Sequence, residues 1–211
     1  GLKYVVKIGG CDALTDIYQA KKYGADSIIS PMIESKYAVQ KFVDNCKKIY
    51  SDLEQVNLSI NIESINAYDN LGSILTCEDM KSINGIVLGR DDMAKSLSLS
   101  IDDVNSDKIF NIAVDISNKA LEYGKSFTIG GGIRPQAINF VKAFNGQHVT
   151  SYETRRIVFD FYMLNKNYTV GVTKAIEFEI KWLEYLVSNR LADNLALSRI
   201  ENLKNSLYSK L

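Results

Sequence analysis

The chain has 211 residues, of which 46% are hydrophobic and 24% charged, the balance of a globular protein with one sizeable core. Its 25 basic residues equal its 25 acidic ones, so electrostatic binding of nucleic acid or of a membrane surface is not expected. We find no apolar run of membrane-spanning length and no signal peptide. The three cysteines lack the spacing of a metal site or a disulfide framework, and a cytoplasmic location fits these features.

Short apolar runs alternate with amphipathic stretches along most of the chain. In chain order, the runs predict strands over residues 3–8, 27–30, 58–62, 84–89, 127–129 and 149–152. Helices are predicted between them, over 12–23, from 35 onward, over 67–75, over 107–123 and from Pro135 onward. Asp12 and Ser35 are placed to cap the first two helices. Continuous apolar strands separated by helices are typical of a parallel sheet that is covered on its faces.

The architecture that we expect is a TIM (β/α)8-type barrel of which this chain shows six of the eight units. A doubly wound open sheet also accepts six strands, but it concentrates its ligand groups near one switch point. A barrel collects them from every strand. Charges follow nearly every predicted strand here, at Lys7, Glu34, Glu63, Arg90 with Asp92, Arg134 and Glu153.

The end of the chain differs from the rest. We assign residues 1–168 to the barrel and 169–211 to a helical extension, with helices over 173–190 and 193–211 and no strand between them. Trp182 and Tyr185 add large aromatic surface to the first of these helices. Such a pair either plugs the barrel or packs on a neighbouring subunit, so a homo-oligomer formed through these helices is expected.

Two stretches stand out as a possible metal site. The strand over 84–89 ends at Gly89 and is followed by Arg90, Asp91 and Asp92, and the strand over 58–62 is followed by Glu63. Because the carboxyl ends of parallel strands meet at one edge of a sheet, we expect these carboxylates to supply one metal ion.

These stretches resemble the HpcH/HpaI aldolase/citrate lyase family, whose members are metal-dependent TIM barrels of the phosphoenolpyruvate/pyruvate superfamily. The resemblance covers residues 3–100 by motif and 101–165 by the order of elements. It rests on Val6-Lys-Ile-Gly-Gly10, Asp16-Ile17, Gly24-Ala-Asp-Ser-Ile-Ile-Ser-Pro-Met-Ile-Glu-Ser35, Ile60-Asn-Ile-Glu-Ser64 and Gly85-Ile-Val-Leu-Gly-Arg-Asp-Asp-Met93.

The resemblance implies that Glu63 and Asp92 hold Mg²⁺ or Mn²⁺, with water and substrate in the other positions. A 2-oxo acid would chelate the metal, which would act as a Lewis acid on the enolate formed when the C–C bond breaks. Lys7 falls where the family has an arginine that contacts the enolate oxygen, and we assign it as the catalytic contact. The family's catalytic histidine lies upstream of the matched region, whereas His148 lies in a different unit. The chain therefore either lacks an N-terminal segment or has an incomplete site.

Further residues near these motifs are candidates for substrate binding: Glu34, Gly89, Arg90 and Asp91. For Arg90, a salt bridge to Glu34 or Glu63 is the alternative to a substrate carboxylate or phosphate.

Glycines and arginines after the later strands suggest an anion site. Gly131, Gly132 and Arg134 resemble a phosphate-binding loop ahead of a helix, although a tight turn would also explain the glycines. Glu153, with Arg155 and Arg156, is either an ion-pair cluster or part of the site.

The leading functional prediction is a metal-dependent aldolase, a carbon–carbon lyase acting on a 2-oxo acid and an aldehyde. One alternative is an acyl-CoA lyase of the citryl or malyl type. An alternative of another class is a non-catalytic binding or assembly protein on a degenerate barrel.

Overall fold

The computed structural model describes residues 2–208, apart from the side chains of residues 101 and 208. All seven strands in this part of the chain belong to one sheet. They are β1 (Val5–Lys7), β2 (Ser27–Ser30), β3 (Asn57–Ile62), β4 (Gly85–Gly89), β5 (Ser126–Gly130), β6 (Ser151–Glu153) and β7 (Val158–Asp160). The helices are α1 (Leu14–Lys22), α2 (Lys36–Ile49), α3 (Ile65–Asp69), α4 (Leu71–Leu75), α5 (Arg90–Ser96), α6 (Asp107–Glu122), α7 (Ile138–Lys142), α8 (Leu164–Ser188) and α9 (Asn194–Tyr208).

The strands lie in the sheet in the order in which they occur in the chain. Strands β1 to β6 pair in parallel, and β7 pairs antiparallel to β6. This order has no reversal, which excludes the doubly wound alternative. Among the described strands β1 and β7 do not pair with each other, so the sheet is a curled half-barrel. The parallel α/β arrangement is confirmed, and a closed eight-stranded barrel is not observed.

The last parallel strand is the least accurately predicted. It spans Ser151–Glu153 rather than 149–152, and the antiparallel β7 was not predicted from the sequence. Only a tight turn separates the two, in which the Thr154 N–H donates to the Ile157 carbonyl at 2.9 Å. Three-residue strands are too short for a period of two to be recognised in the sequence.

Local sequence signals explain several helix boundaries. The Ser35 hydroxyl accepts from the Ala38 N–H at 3.2 Å, so the predicted cap of α2 is confirmed. The prediction for Asp12 is wrong, because Ala13 precedes α1 without a side-chain cap and Asp12 accepts from Asn45 Nδ2 at 2.9 Å instead.

Helix α8 begins earlier than predicted, at Leu164, and it is kinked where the backbone of Asn167 is non-helical. Residue 168, the predicted end of the barrel, therefore lies within this helix. Tyr168, Val172 and Ile176 are buried in the same hydrophobic cluster as the strands. Within the described chain, α8 thus packs on the half-barrel itself. No helix between residues 2 and 208 is long and apolar enough to cross a membrane.

Candidate functional site

A cavity of about 690 Å³ lies at the carboxyl edge of the sheet. Residues at or near the carboxyl ends of β1 to β6 line it, and α8 and α9 contribute its far wall. Its charged lining residues are Lys7, Glu63, Asp91, Asp92, Arg134, Glu153, Arg155, Arg156, Glu179 and Arg199. Parallel α/β barrels build their active sites at this edge.

Glu63 follows β3 and is only 2% exposed. Three donors hold its carboxylate. Oε1 accepts from the Met32 N–H at 2.9 Å, and Oε2 accepts from Asn61 Nδ2 at 2.9 Å and from Lys7 Nζ at 3.2 Å. Donors from β1, the turn after β2 and β3 therefore fix one carboxylate orientation at the cavity wall. Lys7 itself has a side chain that is 48% exposed, so its ammonium can reach a bound molecule.

The turn after β2 supports Glu63 from behind. Met32 has a positive φ of 52°, a strained value for a residue with a side chain, and this conformation accompanies the N–H donation to Glu63. Glu34 does not line the cavity. Its carboxylate accepts from the Ser64 hydroxyl, and its carbonyl accepts from Asn70 Nδ2 at 3.0 Å. This placement gives Glu34 a positioning role toward the segment that follows Glu63.

Asp91 and Asp92 lie in the first turn of α5, where carboxylates interact favourably with the helix dipole. Both line the cavity with Glu63. Asp92 is paired with Lys95 at 2.9 Å, and its side chain is 52% exposed. An exposed pair of this kind contributes little free energy, so the Asp92 carboxylate can turn toward a cation at small cost.

Gly89 ends β4 directly beneath Glu63. A Cβ at Gly89 would lie 2.5 Å from Glu63 Oε2 and 2.7 Å from Glu63 Cβ. The glycine therefore leaves the space that the carboxylate occupies.

The residues present fit a divalent cation. The Asn61 Oδ1 atom is buried and has no hydrogen-bond partner, while the amide group of the same side chain donates to Glu63. An unpaired buried oxygen beside a carboxylate can accept a hydrogen bond from a metal-bound water, or it can bind a cation directly. No cluster of three or more His, Cys, Asp or Glu residues suited to a metal occurs within residues 2–208. Mg²⁺ does not need one, since it is commonly held by one or two carboxylates together with water and substrate.

The structure places Arg90 outside the cavity. Its side chain is fully buried, with Nε donating to the Gly130 carbonyl at 3.2 Å and Nη1 to Asn105 Oδ1 at 2.8 Å. The guanidinium lies 4.2 Å from the Phe140 ring centroid, and burial lowers the pKa of Arg90 to about 10. The described residues include no ion pair of Arg90 with Glu34 or Glu63. Both interpretations of Arg90 from the sequence therefore need correction, because it is buried among carbonyls and an aromatic ring.

The glycine loop after β5 packs against α5. Gly131 and Gly132 have positive φ values of 70° and 59°. A Cβ at Gly131 would lie 2.6 Å from the backbone nitrogens of Arg90 and Asp91. Close packing therefore explains these glycines without a ligand. Arg134 does line the cavity, and its carbonyl accepts from the Tyr168 hydroxyl at 2.9 Å. A phosphate site at this loop stays a prediction.

Glu153 and two arginines enter the cavity from the end of β6. No ion pair among Glu153, Arg155 and Arg156 is present in the described structure, which removes the ion-pair interpretation. Burial raises the pKa of Glu153 to about 7, the nearby Glu63 adds to this shift, and Lys7 opposes it. The signal for Glu153 was present in the sequence, since it follows a strand as Glu63 does.

Two other features concern the Glu179–Arg199 pair, which belongs to the site region, and His148, which does not. The Glu179–Arg199 pair, at 3.0 Å, joins α8 to α9 at the cavity wall, and no pattern in the sequence indicated it. His148 lies before β6, at the opposite end of the sheet from the cavity, where its Nε2 is 2.7 Å from the Lys125 carbonyl oxygen. The histidine of this chain is thus a loop residue outside the cavity.

The fold and the cavity together define a class, that of parallel α/β half-barrels with a charged site at the carboxyl edge of the sheet. The sequence model of the HpcH/HpaI aldolase/citrate lyase family matches residues 2–129 of this chain. The chain therefore belongs to that family. A search of curated proteins found no significant match.

Solved structures of the same family share the fold. An HpcH/HpaI aldolase/citrate lyase family protein from Burkholderia cenocepacia J2315 has 15% identity and a TM-score of 0.55, over 71% of this chain and 66% of its own. An HpcH/HpaI aldolase from Desulfitobacterium hafniense DCB-2 has 13% identity and a TM-score of 0.60, and the match covers 84% of this chain and 73% of the aldolase. A citrate lyase from Burkholderia xenovorans LB400 has 13% identity and a TM-score of 0.58, and the match covers 100% of this chain and 73% of the lyase. This chain thus spans about two thirds to three quarters of these structures.

Proposed function

We propose that this protein is a divalent-metal-dependent carbon–carbon lyase, an aldolase that acts on a 2-oxo acid through a pyruvate-type enolate. The observation that carries the proposal is the Glu63 carboxylate, held by three donors in the cavity beside the unpaired Asn61 Oδ1. Membership of the HpcH/HpaI aldolase/citrate lyase family supports the reaction class.

In this proposal Glu63 and Asp92 hold Mg²⁺ or Mn²⁺. When bound, the metal would act as a Lewis acid that stabilises negative charge on the substrate. The protein residues then have separate tasks. The donors to Glu63 keep its carboxylate fixed, so that little reorganisation is needed during the reaction. Lys7, half exposed beside Glu63, places a positive charge where the enolate oxygen develops.

The remaining lining residues would bind the rest of the substrate. Gly89 and Asp91 lie at the cavity wall next to the proposed metal ligands. Arg134, Arg155 and Arg156 also line the cavity, and the described structure pairs none of them with a carboxylate. These arginines favour a partner with a second anionic group, either an aldehyde that carries phosphate or carboxylate or, as the second candidate, an acyl-CoA thioester.

Deuterium exchange from solvent into the C3 methyl group of pyruvate tests the proposal, because exchange requires only the enolate and no aldehyde. The native protein should catalyse exchange with Mg²⁺ or Mn²⁺ and lose it with chelator. Glu63→Gln and Asp92→Asn should each slow exchange by about 100-fold or more, as loss of a key electrostatic group does. Glu122→Gln, on the exposed end of α6, is the matched control and should behave as the native protein does.

Failure of the native protein to exchange with either metal would refute the lyase and favour a binding or assembly role. Exchange at the native rate in both cavity variants would refute the ligand assignment alone.

A further inference from the structure

A second carboxylate lies in the cavity in a setting that parallels Glu63. Gly89 on β4 and Gly130 on β5 are directly paired in the sheet. The space over Gly89 is filled by Glu63, and a Cβ on Gly130 would meet Glu153 Oε1 at 3.0 Å. Each carboxylate therefore lies over a glycine of the neighbouring strand, and Glu153 occupies the same layer of the cavity as the proposed metal site.

The two carboxylates differ in their partners. The Glu63 carboxylate accepts three hydrogen bonds, whereas the Glu153 carboxylate makes no hydrogen bond or ion pair within residues 2–208. Glu153 can therefore gain or lose a proton without breaking a contact of the fold. Burial raises the pKa of Glu153, so its protonated form is more accessible than that of an exposed glutamate.

The charges that act on Glu153 come from several elements. Lys7 on β1 lowers the pKa of Glu153, and Glu63 after β3 raises it. The other charged groups of the same cavity are Asp91, Asp92, Arg134, Arg155, Arg156 and the Glu179–Arg199 pair. His148, the chain's single histidine, lies at the other end of the sheet and cannot serve this cavity.

We propose that Glu153 is the proton-transferring catalytic residue of this cavity. The proposal rests on the proposed lyase function. As a carboxylate, Glu153 takes a proton from C3 of a pyruvate-type substrate. The electrons of the broken C–H bond form the C2–C3 double bond, and those of the C2 carbonyl move onto its oxygen beside Lys7. In the reverse step the carboxylic acid returns the proton to C3, so no oxidant or other reactant is required.

The test compares the native protein with Glu153→Gln, Glu153→Asp and the control Glu122→Gln. In the deuterium exchange assay, Glu153→Gln should fall by about 10²- to 10⁴-fold, the usual contribution of a general base. Glu153→Asp keeps the carboxylate but withdraws it by one methylene, so exchange should fall by about tenfold or more. Pyruvate binding should stay within a few-fold of native in both variants.

A second readout is the pH dependence of exchange with Mg²⁺ present. The native rate should rise with pH as one group loses its proton, and this dependence should be absent from Glu153→Gln. If Glu153→Gln does not fold, the exchange rate of Glu153→Asp still decides the question.

The outcomes separate the two proposals. Exchange in the native protein that persists within about threefold in Glu153→Gln would overturn the role of Glu153 and leave the lyase intact. The same pH dependence of exchange in Glu153→Gln and the native protein would also overturn it. No exchange in the native protein would overturn the lyase and, with it, the role of Glu153.

Discussion

Replacing Gly89 by alanine tests the geometry beneath Glu63 most directly. Gly89 has φ −89° and ψ 88°, a backbone conformation open to alanine, so the effect would come from the added methyl group alone. That methyl would lie 2.5 Å from Glu63 Oε2 and 2.7 Å from Glu63 Cβ. Carbon atoms in good contact are separated by about 3.5–4.0 Å, so Glu63 would have to move by about 1 Å.

Such a movement has two costs. Overpacking a tight interior costs about 1–3 kcal/mol. Glu63 cannot move without weakening its bond from the Met32 N–H, and an unmade buried hydrogen bond costs about 1–3 kcal/mol more. We expect Gly89→Ala to lower the free energy of unfolding by about 2–6 kcal/mol and to weaken Mg²⁺ or Mn²⁺ binding.

Urea denaturation followed by circular dichroism measures the stability, and calorimetric titration measures the metal affinity. Gly72→Ala is the matched control, because a Cβ there meets nothing within 4 Å in helix α4. That control should raise stability by about 0.4–1 kcal/mol. Equal stability of native protein and Gly89→Ala, with unchanged metal affinity, would refute the close approach of Glu63 to Gly89.

Three further predictions concern other parts of the molecule. Arg90→Met should destabilise the fold by about 1–3 kcal/mol in urea denaturation, since the Gly130 carbonyl and Asn105 Oδ1 lose their donors. A change below about 0.5 kcal/mol would refute the contribution of these hydrogen bonds to stability. Native stability should fall as the pH rises from 4.5 to about 7, because folding raises the Glu153 pKa and the folded state then holds the extra proton. Unfolding midpoints of the native protein and of Glu153→Gln, measured across this pH range, should show that the fall in stability is missing from the variant. An identical fall in both proteins would contradict the assignment of this pH dependence to Glu153. Trp182 on α8 is 43% exposed, and we expect it to lie in an oligomer interface. Trp182→Glu should therefore reduce the molecular mass measured by light scattering. A native protein that is already a monomer would contradict the predicted interface.

The sequence contained enough information to predict the parallel architecture and the edge of the sheet at which the candidate site lies. A buried parallel strand is a continuous apolar run, and polar residues follow it where the chain leaves the sheet. The order of apolar and polar residues therefore locates Glu63 at that edge. The Ser35 cap and the family motifs are likewise local, because each depends on residues close together in the chain.

Only the tertiary structure decided what the charged residues contact. Arg90 and Asp92 are two residues apart, and both follow the same strand in the sequence. Helix α5 nevertheless turns Arg90 into the protein, toward Phe140, and leaves Asp92 exposed beside Lys95. The pKa of Glu153 depends on Lys7 and Glu63, which are distant in the chain, and on burial that no local pattern records. The apolar runs that form the longer strands are local features of the sequence, whereas burial and charge pairing depend on which elements pack together.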